Sequence, residues 1–295
     1  MHGIFTGQSY CYQGDRSDMS KNVVACYKNT QERFWKADSR FKTLGLYQYV
    51  YWNIDNGSTT TPADPHVHVV YVVEGSCHYG GFSIKPGDIL VCGLNKVPLT
   101  SMLTNFALFT IDMDFNFYYQ LTGIIPSLFS GTAVKVERDN PFYQLGLYLF
   151  ELPIEHWVHT AETLMQKMLR YQTVRYSSQF QRVTEAAGLL AETWQQGTEL
   201  LRRDFAVSYR QLQRDFVSVM GLTPKEYASM LRFTQVFKLL NDSDLTMAAL
   251  NAGYWDQAHM IRDFKKMSGF TPAQIKKLNV FHMMNEIRGS LSVLR

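Results

Sequence analysis

Residues 253–272 read GYWDQAHMIRDFKKMSGFTP, and the order of signals in them decides how the second half of the chain folds. Gly253 breaks a preceding helix, and Asp256 is placed to accept from the open amides of a new first turn. In the helix that follows, Met260, Phe264 and Met267 stand at spacings of four and three and form one apolar stripe. Gln257, Arg262, Lys265 and Lys266 occupy its other faces. Gly269 stops it. The stretch reads as the second half of a helix-turn-helix.

Sliding the chain against itself finds an echo 48 residues upstream, the mark of an internal repeat. Arg214, Asp215, Phe216, Gly221, Thr223 and Pro224 match Arg262, Asp263, Phe264, Gly269, Thr271 and Pro272, and Leu212 matches Met260. The caps agree as well. Ser208 with Gln211, Thr223 with Glu226 and Thr271 with Gln274 all have capping-box spacing, which predicts reciprocal satisfaction of two backbone donors at each. Pro224 and Pro272 fall at the first position of the helix after each copy. Two copies of one helix-turn-helix module are the economical explanation.

The 295 residues suffice for one large domain or two ordinary ones, and 46% hydrophobic content allows a sizeable core. No early apolar run has the features of a signal peptide, and none approaches the roughly 18 to 20 residues of a membrane span. The expectation is a soluble, cytoplasmic protein with no membrane association. Cys11, Cys26, Cys77 and Cys92 show no CxxC pair and no zinc-ligand spacing, so they read as reduced thiols, with a redox switch as the alternative. The net charge of +3 conceals an asymmetry: from residue 179 onward, 15 Lys and Arg against 11 Asp and Glu leave +4, and residues 1–178 carry 14 against 15, or −1. An excess of that size is mild for a nucleic-acid binder and is by itself ordinary solvated surface.

The first half has a different period. Leu44, Leu46, Gln48, Val50, Trp52 and Ile54 alternate with Gly45, Tyr47, Tyr49, Tyr51 and Asn53, a two-residue rhythm that predicts a strand. Further strands are expected at 67–73, turning back through Tyr79, Gly80 and Gly81, at 89–92 after the KPGD turn of 85–88, and at 106–113. No long helix is expected between them. The first half therefore reads as an antiparallel β-sandwich or barrel. From about Pro153 the pattern becomes helical, with Trp157, Ala161, Leu164, Met165, Met168 and Leu169 on one stripe reaching to about Arg170. Residues 172–178 are the candidate linker. Later helices are expected at 183–192, 198–204 capped by Thr198, 208–220, 225–240, 244–252 capped by Asp244, and 256–268. The connector at 225–240 is about 16 residues, or roughly 24 Å long. It suits two recognition helices held about one DNA turn, roughly 34 Å, apart.

On these residues the C-terminal hundred positions resemble the AraC/XylS family of bacterial transcription regulators. The match in the second unit runs through Gly253, Tyr254, Asp256, His259, Arg262, Phe264, Lys265, Gly269 and Pro272, and in the first through Ser208, Leu212, Arg214, Phe216, Gly221 and Pro224. Arg232, Leu239 and Leu240 are similar to the family's connecting helix. The resemblance implies base contacts from Arg210, Gln213 and Arg214 in the first unit and from Gln257, Ala258, Ile261 and Arg262 in the second. Arginine bridges guanine, glutamine bridges adenine, and an apolar Ile261 suits a thymine methyl. Lys265, Lys266 and Lys225 are the candidate phosphate contacts. A solvated helix face is the alternative for each residue, and for Arg214 and Arg262 a structural pairing with the adjacent Asp215 or Asp263. Two positions in the first unit depart from the family pattern. Arg202 stands where a small residue usually packs, and Ala206 replaces the turn glycine, which implies a reshaped turn.

The N-terminal half resembles, more faintly, the cupin-like sensor domains of such regulators, through PHVH at 65–68, Glu74, Gly75 and PGD at 86–88. His66 and His68 share one face of a strand. Five residues separate His68 from Glu74, more than metal-binding cupins have, and no clear third histidine follows from a second motif, the one candidate, His78, sitting across the hairpin. The reading is therefore no metal and no cofactor, with an organic effector as candidate ligand lined by Trp52, His66, His68, Val70 and Val72. Core packing is the alternative for those side chains.

The sequence thus predicts an α+β protein in four parts. Residues 1–152 form a cupin-like sensor and dimerisation domain, 153–178 a helix and linker, 179–278 a DNA-binding domain, and 279–295 a tail. The expected function is sequence-specific transcription regulation, as an activator, by a homodimer that binds duplex DNA in the major groove. A small-molecule effector and RNA polymerase are its candidate further partners, and catalysis is not expected. The competing reading is a metal-dependent cupin-type enzyme with a helical accessory domain.

Overall fold

The computed structural model describes residues 23–29, 32–79, 82–171, 174–239 and 245–277. Its first part is one antiparallel sheet of β1 (Val23–Asn29), β2 (Glu32–Asp38), β3 (Leu46–Thr61), β4 (Asp64–Tyr79), β5 (Phe82–Ile84), β6 (Ile89–Asn95), β7 (Leu99–Met113) and β8 (Ala133–Lys135). The strands lie in the order β1-β2-β3-β7-β4-β6-β8, with β5 paired to β4. The predicted strands are present but run longer: β3 extends to Thr61, and the last candidate begins at Leu99 rather than 106. Leu44 belongs to a 3-10 turn before β3. Gly80 and Gly81, expected in the hairpin, lie outside the described residues.

Cross-strand register divides the sheet into two faces. Val67, Val69 and Tyr71 of β4 join Tyr49, Phe109 and Ile111 in one cluster, while Val70 and Val72 join Leu90, Leu103, Phe106 and Trp52 in another. Side chains alternate between these faces, so a strand buried on both sides shows little hydrophobic alternation. The odd-numbered face is covered by helices that the strand reading passed over. Helix α1 (Phe115–Thr122) starts at Asp114, whose carboxylate accepts from Phe117 N–H at 2.6 Å, and α2 (Pro141–Phe150) starts at Asn140. The helical region therefore begins at 115, well before Pro153. FNFYYQLT is aromatic enough to read as a strand, and the cap decides otherwise. Helix α3 (Trp157–Tyr171) lies where predicted. Trp157 packs edge-on against Phe109 and Phe150.

The remaining elements are α4 (Ser178–Glu192), α5 (Glu199–Asp204), α6 (Tyr209–Met220), α7 (Pro224–Leu239), α8 (Leu245–Asn251), α9 (Gln257–Ser268) and α10 (Pro272–Lys277). Helix α4 starts five residues before the predicted 183, because Ser177 caps it through Phe180 N–H at 3.1 Å. Asp244, the expected cap of α8, lies outside the described residues.

The apolar core divides along α7. Tyr227, Ala228, Met230 and Leu231 belong to a cluster that runs without a break from the sheet through α4 and α6. Phe233, Val236 and Phe237, one turn further on, belong to a second cluster built from α8, α9, α10 and Ala63. The first helix-turn-helix thus shares its core with the sheet, and the second has its own.

Candidate nucleic-acid interface

Both predicted recognition helices begin on the expected caps. Ser208 Oγ accepts from Gln211 N–H at 3.2 Å, and Asp256 Oδ1 accepts from His259 N–H at 2.6 Å. The boxes at Thr223–Glu226 and Thr271–Gln274 are closed in both directions. The box at Ser208–Gln211 is only half made: Gln211 turns its amide to Asp215 at 2.8 Å and its oxygen to Arg214 at 2.7 Å. Thr198 stands at the start of α5 but makes no side-chain cap, because its backbone is not extended there.

The turns of the two units differ by one residue. Residues 205–208 separate α5 from α6, whereas 252–256 separate α8 from α9. Gly253 takes a φ of 68° in the longer turn, while Ala206 is not among the residues with positive φ. At the 48-residue offset Phe205, not Ala206, stands opposite Gly253, and the first turn closes without a positive φ. Arg202 solves its own misfit by leaving the helix interface: it is exposed, and its guanidinium lies 4.2 Å from the Tyr209 ring centroid, a cation–π contact.

The inward stripe of each recognition helix is as predicted, with Leu212, Phe216 and Val219 buried in α6 and Met260, Phe264 and Met267 buried in α9. Of the candidate base contacts, Arg210, Arg214, Ala258 and Arg262 are exposed, and Gln213, Gln257 and Ile261 are half-buried. Lys225, Lys265 and Lys266 are exposed. The adjacent aspartates do not hold the arginines. Asp215 is 1% exposed and takes Arg182 of α4 at 2.8–2.9 Å, together with Gln179 and Gln211. Asp263 faces His259 at 3.7 Å. Among the described residues no ion pair holds Arg210 or Arg262, so both guanidinium groups remain available to an anionic partner.

The five effector candidates do not form one lining. Trp52, Val70 and Val72 lie in the apolar cluster on the even-numbered face. His66 and His68 belong to a buried polar network. His66 Nδ1 lies 2.7 Å from Asp64 Oδ1, and its ring meets Tyr47 edge-on. His68 Nδ1 lies 2.8 Å from Asp112 Oδ1, and Gln48 donates to the other Asp112 oxygen at 2.7 Å. Burial opposes the His68 charge, yet the Asp112 and Asp64 carboxylates outweigh it and hold the imidazolium well above the ordinary histidine range. Among the described residues no group of three or more His, Cys, Asp or Glu side chains is arranged to hold a metal ion. Sequence reasoning missed Asp64, Asp112 and Gln48, which sit on three different strands and are joined only by the sheet register.

Segments that connect the strands and helices of the first part touch the carboxyl ends of both recognition helices, which no sequence signal indicated. Ala63 N–H donates to Met267 C=O of α9 at 2.7 Å. Ser127 Oγ donates to Ser218 C=O of α6 at 2.7 Å, and Lys96 pairs with Glu226 of α7 at 3.1 Å. The equivalent capping glycines are handled differently. A methyl on Gly221 would lie 2.7 Å from Ser130 Cβ, whereas on Gly269 it would find Pro98 at 3.6 Å. Near the end of α7, burial and nearby Lys36 of β2 push the Lys238 ammonium down to about 8.

Residues 201–277 match the family model described as "Helix-turn-helix domain". Over 133 residues the chain is 26% identical to the uncharacterized HTH-type transcriptional regulator YisR of Bacillus subtilis, covering 43% of this chain and 46% of that one. It is 33% identical over 81 residues to the HTH-type transcriptional activator RhaS of Escherichia fergusonii, covering 27% and 29%. The alignments thus span less than half the length of these curated relatives. A solved structure of ToxT from Vibrio cholerae aligns with a TM-score of 0.47 at 10% identity, over 83% of this chain and 97% of that one.

Proposed function

We infer that this chain, whose residues 201–277 carry the helix-turn-helix domain expected from the AraC/XylS resemblance, is a sequence-specific DNA-binding transcription regulator. One observation carries the reading: two N-capped helices 48 residues apart present Arg210 and Arg262, which no ion pair holds among the described residues, and the 16-residue α7 joins their units. Arg210, Gln213 and Arg214 are the richer reading edge and specify. Gln257, Ala258, Ile261 and Arg262 contribute a less polar edge, and Lys265, Lys266 and Lys225 anchor to phosphate.

Residues 1–152 act as the sensing and dimerising part, 153–178 as helix and linker, 179–278 as the DNA-binding part, and 279–295 as a tail. The protein works as a cytoplasmic homodimer and activates transcription through contact with RNA polymerase. An effector, or a partner, acts on the sheet. The route to the helices is short: Asp64 and His66 adjoin Ala63, whose amide holds the end of α9. A ligand that binds one arrangement of this network better than another shifts the population of helix placements by its differential affinity.

Selection of duplexes from a random pool by the full chain, followed by the same selection with Arg210→Ala and Arg262→Ala, tests the assignment. Each variant should relax base preference at one of two separate elements, by about 1–3 kcal/mol of discrimination. Unchanged preference in both variants contradicts it.

A further inference from the structure

Trp255 is 91% exposed, and nothing among the described residues covers it. It stands immediately before Asp256, the N-cap of α9, in the position from which an apolar residue ordinarily staples back onto the fourth residue of the helix. The first unit shows the ordinary arrangement. Val207 precedes the cap Ser208 and is half-buried against the cluster that contains Leu212, the fourth residue of α6. In the second unit the equivalent target, Met260, is fully buried without help from Trp255, and Tyr254, at 4% exposure, fills the space beneath the turn. The indole is thus left exposed at the amino end of α9, two and three residues before Gln257 and Ala258. A tryptophan in water gives up a large burial energy, and such rings are concentrated where a second surface covers them. The surface that meets this end of a recognition helix is the wall of the major groove.

On the reading of α9 as a recognition helix, we propose that Trp255 is itself a DNA-contacting residue, packing its indole against the sugar–phosphate wall beside the bases read by α9. The ring adds an apolar contact where Ala258 and Ile261 leave the second unit with few polar ones. It carries no charge, so its contribution is independent of counterion release, unlike that of Lys265 or Lys266.

The test uses the full chain and a duplex recovered from a random pool by that chain. Trp255→Ala should weaken binding about tenfold while the slope of log K against log salt stays unchanged, because no phosphate-neutralising cation is lost. Thermal stability should be unaltered, since the side chain is exposed. Trp255→Phe should retain most of the affinity and lose the change in tryptophan emission that DNA causes in the parent protein. Trp255→Ala binding within twofold of the parent, with the emission change persisting in Trp255→Phe, overturns the proposal while leaving the DNA-binding reading intact. A tenfold loss accompanied by a shallower salt slope also overturns it, by showing that the substitution acted on the charged contacts. Failure of the parent protein to recover any duplex overturns both.

Discussion

The two helix-turn-helix units descend from one sequence pattern and are supported in different ways. In the first, Asp215 is buried under Arg182, Gln179 and Gln211, Val207 packs inward, and the apolar cluster continues into the sheet. In the second, the matching Asp263 is half-buried beside His259, Trp255 is exposed, and the core is built from α7, α8, α9 and α10 with Ala63, while Trp194 packs against both clusters. Equal spacing of caps and stripes therefore makes equal helices without making equal mechanical attachment. The first unit is fixed to the part of the molecule that would sense. The second meets it chiefly through Ala63 at Met267, with Pro98 and Thr60 close to Gly269.

The largest test of this difference is a pair of substitutions at repeat-equivalent aspartates. Asp215→Ala should cost about 2–3 kcal/mol in chemical unfolding, because it removes the shared acceptor of Gln179, Arg182 and Gln211. Asp263→Ala should cost less than about 1 kcal/mol, because its single 3.7 Å partner, His259, stays open to water. Equal costs would break the comparison.

A smaller difference is expected at the helix-terminating glycines. Gly221 and Gly269 have φ of 70° and 83°, so alanine at either carries about 1–2 kcal/mol of backbone strain. Gly221→Ala must also displace Ser130. Its melting temperature should therefore fall further than that of Gly269→Ala, and the reverse order would show that the segment around Ser130 does not bear on α6.

The third test uses pH. Burial raises the Asp114 carboxyl from 3.8 to about 7, against the hydrogen bonds it accepts at the start of α1. A folded-state value above the unfolded one means that the folded chain binds more protons across this interval. Its contribution to stability is therefore complete below about 4 and is lost as pH rises through about 7. The charge of Asp114 is also felt by Tyr227, on the half of α7 that belongs to the shared core. Hydrogen exchange between pH 5 and 8 should show α6 losing protection relative to α9, and Asp114→Asn, which retains a cap, should flatten that trend. Parallel behaviour of α6 and α9 would contradict a divided core.

The smallest effect concerns the caps, where the units should agree. Ser208→Ala and Asp256→Ala each remove one hydrogen bond to a first-turn amide and should each cost about 1 kcal/mol. A marked inequality measured by thermal unfolding would mean that the half-made box at Gln211 alters the energetics of its cap.

Most of the helical half was legible because its signals are local. Ser208, Asp256, Gly253, Gly269 and the 3.6-residue stripes act within one or two turns, and α6, α7 and α9 lie within a residue or so of where those signals put them. Helices α1 and α2 escaped because aromatic residues serve strands and helices alike, and only the caps at Asp114 and Asn140 distinguish the two. Tertiary relations were not legible at all. Nothing at position 63 announces a bond to Met267, and nothing in RD at 214–215 shows that the aspartate turns inward to Arg182 while the arginine stays out. The candidate effector residues were chosen by strand parity, which placed them on one face and could not show that the histidines there are engaged by Asp64 and Asp112.

The central claim is that two unequal units read one duplex together. Hydroxyl-radical footprinting of the full chain on a selected duplex tests it most directly. The account predicts two protected tracts on one face of the helix, about 10 base pairs apart centre to centre, with Arg210→Ala clearing only one tract and Arg262→Ala only the other. A single tract, or loss of both tracts with either substitution, would contradict it.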